Sequence, residues 1–157
     1  MIKRLSALAT ILLLSLLAGH ACATAYSLPA ASFAACSGTW IASSYTCQNG
    51  SVTLQAGDTL TATQALTLYA DKGFNFNGNN TLGSSSVSVS LKTSYGTTSV
   101  GAGSVLYGSL NSDSGAITLV GTRVYGSITA GSGTISLTGS SVSGTVSGSG
   151  TGSFSAS

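Results

Sequence analysis

The chain has 157 residues, with five basic residues against three acidic ones and a formal net charge of +2. The excess charge comes from Lys3 and Arg4 at the N-terminus; the rest balances Lys72, Lys92 and Arg123 against Asp58, Asp71 and Asp113. That balance excludes a nucleic-acid surface, which needs clustered Lys and Arg against phosphates. Gly, Ser and Thr are abundant, but apolar residues are interleaved with them and charge is scarce, the reverse of a disordered polymer.

The first element, residues 1–25, reads as a secretory signal peptide. Lys3 and Arg4 form a basic start, and Leu5 to Ala18 is an apolar run of 14 residues. That run is too short for a hydrocarbon core that needs roughly 20 residues, and small residues follow it as a signal peptidase requires. Two cleavage sites compete: Ala21-Cys22-Ala23 would release Thr24, and Ala23-Thr24-Ala25 would release Tyr26. No second basic flank follows the run, which argues against an uncleaved anchor. His20 stands where a lipoprotein would carry its cysteine, and Cys22 comes two residues late. The expected product is exported to the periplasm, the cell surface or the medium. Removal of the segment takes with it the chain's one histidine and one of its three cysteines.

Residues 26–50 are expected to form an N-terminal cap. Cys36 and Cys47 enclose ten residues, including Trp40 and Tyr45. In an oxidising compartment this pair is expected to form a disulfide, worth about 2–3 kcal/mol for so short a loop. The spacing does not match CxxC, and no histidine is left to complete a zinc site. Phe33, Trp40 and Ile41 supply apolar cover for the first rung, whose unpaired backbone would otherwise invite other chains.

From residue 51 to 157 the pattern is that of short strands. Val52 and Leu54 alternate, then Leu66 and Leu68, Phe74 and Phe76, and Val87, Val89 and Leu91, with turns at Gly57-Asp58, Asp71-Lys72-Gly73 and Asn77-Gly78-Asn79-Asn80. Thr59 to Leu68 tolerates helix, but its Thr content favours strand. From Gly101 onward the sequence repeats at a period of 18: Gly103, Gly121 and Gly139; Leu106, Val124 and Val142; Gly108, Gly126 and Gly144; Leu110, Ile128 and Val146; Ile117 and Ile135; Leu119 and Leu137. The last repeat breaks, with Phe154 one place off. A repeat this short cannot bury an apolar face alone and must stack on the next copy. The expected fold is therefore all-β, a single-stranded parallel β-helix (β-solenoid) with rungs of about 18 residues and a disulfide-closed cap. Leu106, Gly108, Leu110, Ile117 and Leu119 are expected to face inward. The glycines of the Gly108 column let the coil narrow or turn.

The chemistry available is sparse. Ser–His–Asp catalysis has no histidine after export, and each of the three Asp sits in a turn, which disfavours a glycosidase pair. No catalytic residue, cofactor or metal site is expected. A calcium ladder needs an Asp in every repeat, yet Gly131 takes the place of Asp113 one repeat later. Ice binding needs ranks of Thr, but Ser136 follows Thr118. Tyr107 and Tyr125 occupy one outward column, followed by Ser143. This pair stiffens the sheet by stacking, and it is also the candidate surface contact, as a platform for sugar rings or a partner.

Cys36-Ser-Gly-Thr-Trp40, Tyr45-Thr-Cys47, Gly50-Ser-Val-Thr-Leu54 with Gly57-Asp58, and Gly78-Asn-Asn-Thr-Leu-Gly83 with the Gly-x-[Val/Ile] rungs resemble the N-terminal region of MshQ-type proteins. These are large exported proteins linked to the mannose-sensitive haemagglutinin (MSHA) class of type IV pili. The resemblance spans Cys36 to Val146 and implies a pilus-associated setting, with no catalytic residue to transfer. MshQ-type proteins carry a long region beyond the rungs, whereas this sequence stops at Ser157, as a stand-alone module or a truncated relative would. The rungs are also similar to those of the polymer-forming bactofilins, which are cytoplasmic. The expected function is a secreted or cell-surface structural and adhesive module. The alternatives are a self-polymerising filament subunit, its partner being itself through end-to-end stacking, and a carbohydrate- or ice-surface binder.

Overall fold

Apolar residues alternate with Ser, Thr and Gly in strands of two to five residues, so no strand can bury its inner face without a copy of itself above and below. The computed structural model describes residues 22–150 and 152–155. Most of the expected signal segment, His20 included, lies outside the described residues. The chain coils into a parallel β-solenoid with three sheets. The first sheet stacks Ala25–Leu28, Thr59–Ala62, Thr81–Leu82, Val105–Leu106, Arg123–Val124 and Ser141–Val142. The second stacks Val52–Leu54, Phe74–Phe76, Thr98–Val100, Ile117–Val120, Ile135–Thr138 and Gly152–Ser155. The third runs from Thr46–Gln48 through Leu66–Ala70, Val89–Thr93, Leu110–Ser112 and Ile128–Ala130 to Val146–Gly148, with Thr39–Ile41 added antiparallel at its start.

The fold expected from the repeat is the fold observed. The rungs are not uniform, however. Equivalent residues lie 22 and 24 apart in the early coils, as at Asn80 and Asp58 or Asn80 and Ser104, and settle to 18 from Ser109 onward. The last step of the second sheet is shorter still. Ile135 pairs with Gly152 and Leu137 with Phe154, so Phe154 is in register with Leu137. The break in the final repeat is a missing residue upstream, and the strand slides by one place to compensate.

The core is a set of vertical columns. Leu60, Leu82, Leu106 and Val124 stack inside the first sheet; Leu54, Phe76, Val100 and Leu119 inside the second; Leu68, Leu91, Leu110 and Ile128 inside the third. All of these are buried. Each fully buried side chain of this size contributes about 1.5–3 kcal/mol relative to exposure. A parallel column of small residues, Cys47, Ala70, Thr93, Ser112 and Ala130, fills the inner side of the third sheet near its end. Gly108 follows Tyr107 where the first sheet bends into the third. A Cβ on Gly108 would lie 2.3 Å from the Val89 carbonyl oxygen, and one on Gly126 would lie 2.3 Å from that of Gly108, so this column must be glycine for the coils to approach.

The corner between the second and first sheets follows one rule in every coil. Gly57, Asn79, Gly103, Gly121 and Gly139 all have positive φ, a conformation that Gly and Asn adopt most readily. Each is followed by a short polar residue: Asp58, Asn80, Ser104, Thr122 and Ser140. The first four of these are at most 2% exposed, and they form a polar ladder inside the corner.

The N-terminal segment starts the first coil and closes its end. Ala25–Leu28 pairs parallel with Thr59–Ala62. Cys36 bridges antiparallel to Val52, and Ser37 N–H donates to Ser51 O at 2.9 Å while Thr53 N–H donates to Ala35 O at 2.9 Å. The open edge of the second sheet is thereby covered. Phe33 packs edge-on to Tyr26 at 5.3 Å and against Trp40 at 5.0 Å. The Trp40 indole N–H donates to Ala30 O at 2.9 Å. Cys36 and Cys47 form the expected disulfide, with Cα atoms 5.6 Å apart.

Candidate surface-contact site

Tyr107 and Tyr125 each follow an inward residue of the first sheet, Leu106 and Val124, which are paired across one rung. Strand alternation therefore turns both rings outward at the same height. Backbone bonds hold the column: Tyr107 N–H donates to Leu82 O, and Tyr125 N–H to Leu106 O, both at 2.8 Å. The ring centroids are 4.8 Å apart and the planes differ by 8°. That distance is the strand spacing of a parallel sheet, about 4.8 Å, so the solenoid itself sets a stacking distance within the favourable aromatic range.

The two ends of the stack differ. Upstream, the position before Tyr107 in the column is Gly83, which opens the six-residue loop 83–88; the next coil makes the same connection with Tyr107, Gly108 and Ser109 alone. Ser84 N–H donates to Val87 O at 2.8 Å, and Val87 N–H donates to the Ser84 hydroxyl at 3.1 Å, which fixes the loop as a wall. Ser84, Ser85 and Ser88 with Tyr107 and Tyr125 line a shallow depression. Downstream, Ser143 takes the next place in the column, its N–H donating to Val124 O at 2.9 Å. It carries no ring to cover Tyr125, which is 46% exposed. The site thus offers one uncovered aromatic face, ring edges and a rank of hydroxyls. That combination suits stacking against an apolar sugar face with hydrogen bonds to its hydroxyls.

The other residues singled out in the sequence are dispersed. Asp58 is buried in the corner ladder, its carboxylate accepting from Thr24 N–H at 2.6 Å and Gln55 N–H at 2.8 Å. The carboxylate of Asp71 accepts from Asn49 N–H at 2.6 Å. Asp113 pairs with Lys92 at 3.6 Å, both partly exposed. Asp71 and Asp113 share a column two rungs apart, with Ser94 between them. Among the described residues no group of three or more His, Cys, Asp or Glu could hold a metal ion, and no helix is long and apolar enough to cross a membrane. Outward columns mix residue types: Asn75, Ser99, Thr118 and Ser136 stand in one line of the second sheet.

Sequence reasoning missed the corner ladder. Asn80 donates through Nδ2 to Gln55 O at 2.6 Å and accepts at Oδ1 from Gly78 N–H at 3.0 Å. The Ser104 hydroxyl accepts from Asn80 N–H at 3.2 Å, and that of Ser140 from Thr122 N–H at 3.1 Å. The signal was present as a second column at the period of 18, Ser104, Thr122 and Ser140, directly behind the repeating glycines. No protein-family model, curated protein or solved structure matches the chain.

Proposed function

We propose that the chain is an exported β-solenoid that serves as a structural and adhesive module at the cell surface, with the Tyr107–Tyr125 stack as its contact point. The observation that carries this reading is the uncovered face of Tyr125 beside a serine-lined depression on the outside of the coil. Ring stacking with hydroxyl hydrogen bonding needs only the residues that line this depression. Export is supported by the signal-like start and by a disulfide of the kind that persists in oxidising compartments. The resemblance to MshQ-type proteins supports a setting at MSHA-like type IV pili, with pilus or cell-surface components as partners.

The test is glycan-array binding by the exported protein and by its Tyr107→Ala/Tyr125→Ala variant, with circular dichroism as a control on folding. Binding by the parent that falls at least about tenfold in the folded variant supports an aromatic platform. Binding that survives the substitution sinks it. Thermal-hysteresis activity would instead favour the ice-surface alternative. A second reading, the filament subunit, is favoured by Ser141–Val142, Val146–Gly148 and Gly152–Ser155, the last strands of the three sheets, whose outer edges have no partner among the described residues. Sedimentation at high concentration separates the two. A single monomer boundary supports the module, and mass growing with concentration supports end-to-end stacking.

A further inference from the structure

The corner ladder begins one coil earlier than its first buried member. Ala25 is in register with Thr59, so Thr24 occupies the place that Asp58, Asn80, Ser104, Thr122 and Ser140 occupy in later coils. Thr24 is a residue of the same short polar type. Its N–H donates to the Asp58 carboxylate at 2.6 Å, and its carbonyl accepts from Thr59 N–H at 2.9 Å. In the later coils the residue before the ladder position is a Gly or Asn with positive φ. Here it is Ala23, exposed and with a Cβ that disfavours that turn. Ala23 therefore does not repeat the positive-φ turn that precedes each later ladder member.

Asp58 is the one ladder member that ionises, and it is 1% exposed. Its carboxylate accepts two backbone N–H groups, and among the described residues no Lys or Arg forms an ion pair with it; the ion pair present joins Lys92 to Asp113. A buried carboxylate calls for a compensating positive charge. The donor already at 2.6 Å is the nitrogen of Thr24. That nitrogen becomes a cation if the peptide bond preceding it is hydrolysed.

We infer that signal peptidase cleaves between Ala23 and Thr24, and that the new Thr24 α-ammonium docks on the buried Asp58 carboxylate as the charged foot of the corner ladder. The inference rests on the export reading and resolves the two cleavage sites that the sequence leaves open. Hydrolysis breaks the Ala23 C–N bond. The hydroxyl of water goes to the Ala23 carbonyl carbon and its proton to the Thr24 nitrogen, which takes a further proton from solvent to become the ammonium. Cleavage after Ala25 would instead remove Thr24 altogether. It would delete the Thr24–Asp58 and Thr59–Thr24 bonds and the Ala25–Thr59 pair, leaving the Asp58 carboxylate with the Gln55 N–H bond alone. Cleavage after Ala23 keeps every one of these contacts and adds the charge they lack.

The test uses the full chain expressed with its own signal in a bacterial host, followed by fractionation and intact-mass measurement. An exported product beginning at Thr24 is expected; one beginning at Tyr26 or elsewhere overturns the inference while leaving export standing. Unprocessed protein retained in the cytoplasm overturns the export reading and this inference together. The docking is then read on the Thr24-terminated protein by its rate of α-amine acylation at neutral pH, folded and in denaturant. A charge-paired ammonium lacks the free electron pair, so the folded protein is expected to react about tenfold more slowly or less. Equal rates in the two states overturn the ion pair.

Discussion

Asn80 reaches across one rung to Asp58, its Nδ2 donating to the Asp58 carbonyl oxygen at 3.2 Å while also donating to Gln55 O at 2.6 Å. Its Oδ1 accepts from Gly78 N–H, so the one fully buried amide satisfies backbone groups in two coils. Removing it leaves the buried Gly78 N–H without its partner, while Asp58 O keeps Thr81 N–H and Gln55 O keeps Asp58 N–H. Asn80→Ala is expected to lose about 1–3 kcal/mol of unfolding free energy, measured by urea denaturation. A loss below about 1 kcal/mol would mean that water replaces the amide and that the ladder is incidental.

Thr98 presents the opposite case. Its side chain is buried in a column between Phe74 and Ile117, and its hydroxyl has no hydrogen-bond partner among the described residues. Thr98→Val keeps the shape and removes the orphaned oxygen. The variant is expected to be more stable by about 1–2 kcal/mol, read as a higher denaturation midpoint at unchanged slope.

The inner glycine column sets how closely the coils approach. A Cβ at position 126 meets the Gly108 carbonyl oxygen, a backbone atom that cannot swing away. Gly126→Ala is expected to cost about 2–3 kcal/mol through overpacking. Ser143→Ala, on the exposed surface one coil later, is expected to change stability by less than about 0.5 kcal/mol. Thermal melts of the two variants side by side check the contrast.

The disulfide ties the cap to the first coil. Cys36 lies at the bridge to Val52, and Cys47 lies in the third sheet beside Ala70. Replacing both cysteines by Ala is expected to cost about 2–3 kcal/mol. Reduction of the parent protein is expected to shift its denaturation curve by the same amount, and a curve indifferent to reductant would show that the aromatic cluster of Phe33 and Trp40 closes the cap unaided.

Ser143→Tyr extends the aromatic column by one ring and covers the open face of Tyr125. The added stacked pair is expected to stabilise the fold by about 0.5–1 kcal/mol. Glycan binding that depends on that face is expected to disappear in the same protein. Stability gained with binding retained would move the contact from the ring face to the serine wall.

Much of this molecule was legible in its residues. The inward set Leu106, Leu110, Ile117 and Leu119 is read from alternation, because strand side chains have a period of two and a buried face tolerates no slip. The Tyr107–Tyr125 pair follows from the period of 18, since equivalent outward residues in a solenoid must meet. The cysteine pairing follows from two cysteines remaining once the signal segment is set aside. The nature of the site was less legible: a column shows that two rings meet, while the wall that makes a depression comes from loop 83–88, whose path depends on the coil above it.

Local pattern and the period of 18 by themselves determined the all-β coil, its inward columns and the meeting of Tyr107 with Tyr125. Only the tertiary structure decided that Asp58 is buried, that Phe154 falls in register with Leu137, and that Thr24 stands at the head of the polar ladder. The physical reason is the same in each case. Alternation and repeat period are properties of consecutive residues, and they are visible along the chain. Register between coils of unequal length, and the side to which a turn closes, are decided by strand pairing between residues 17 to 34 positions apart. A short polar residue beside a glycine reads as an exposed turn until the next coil covers it.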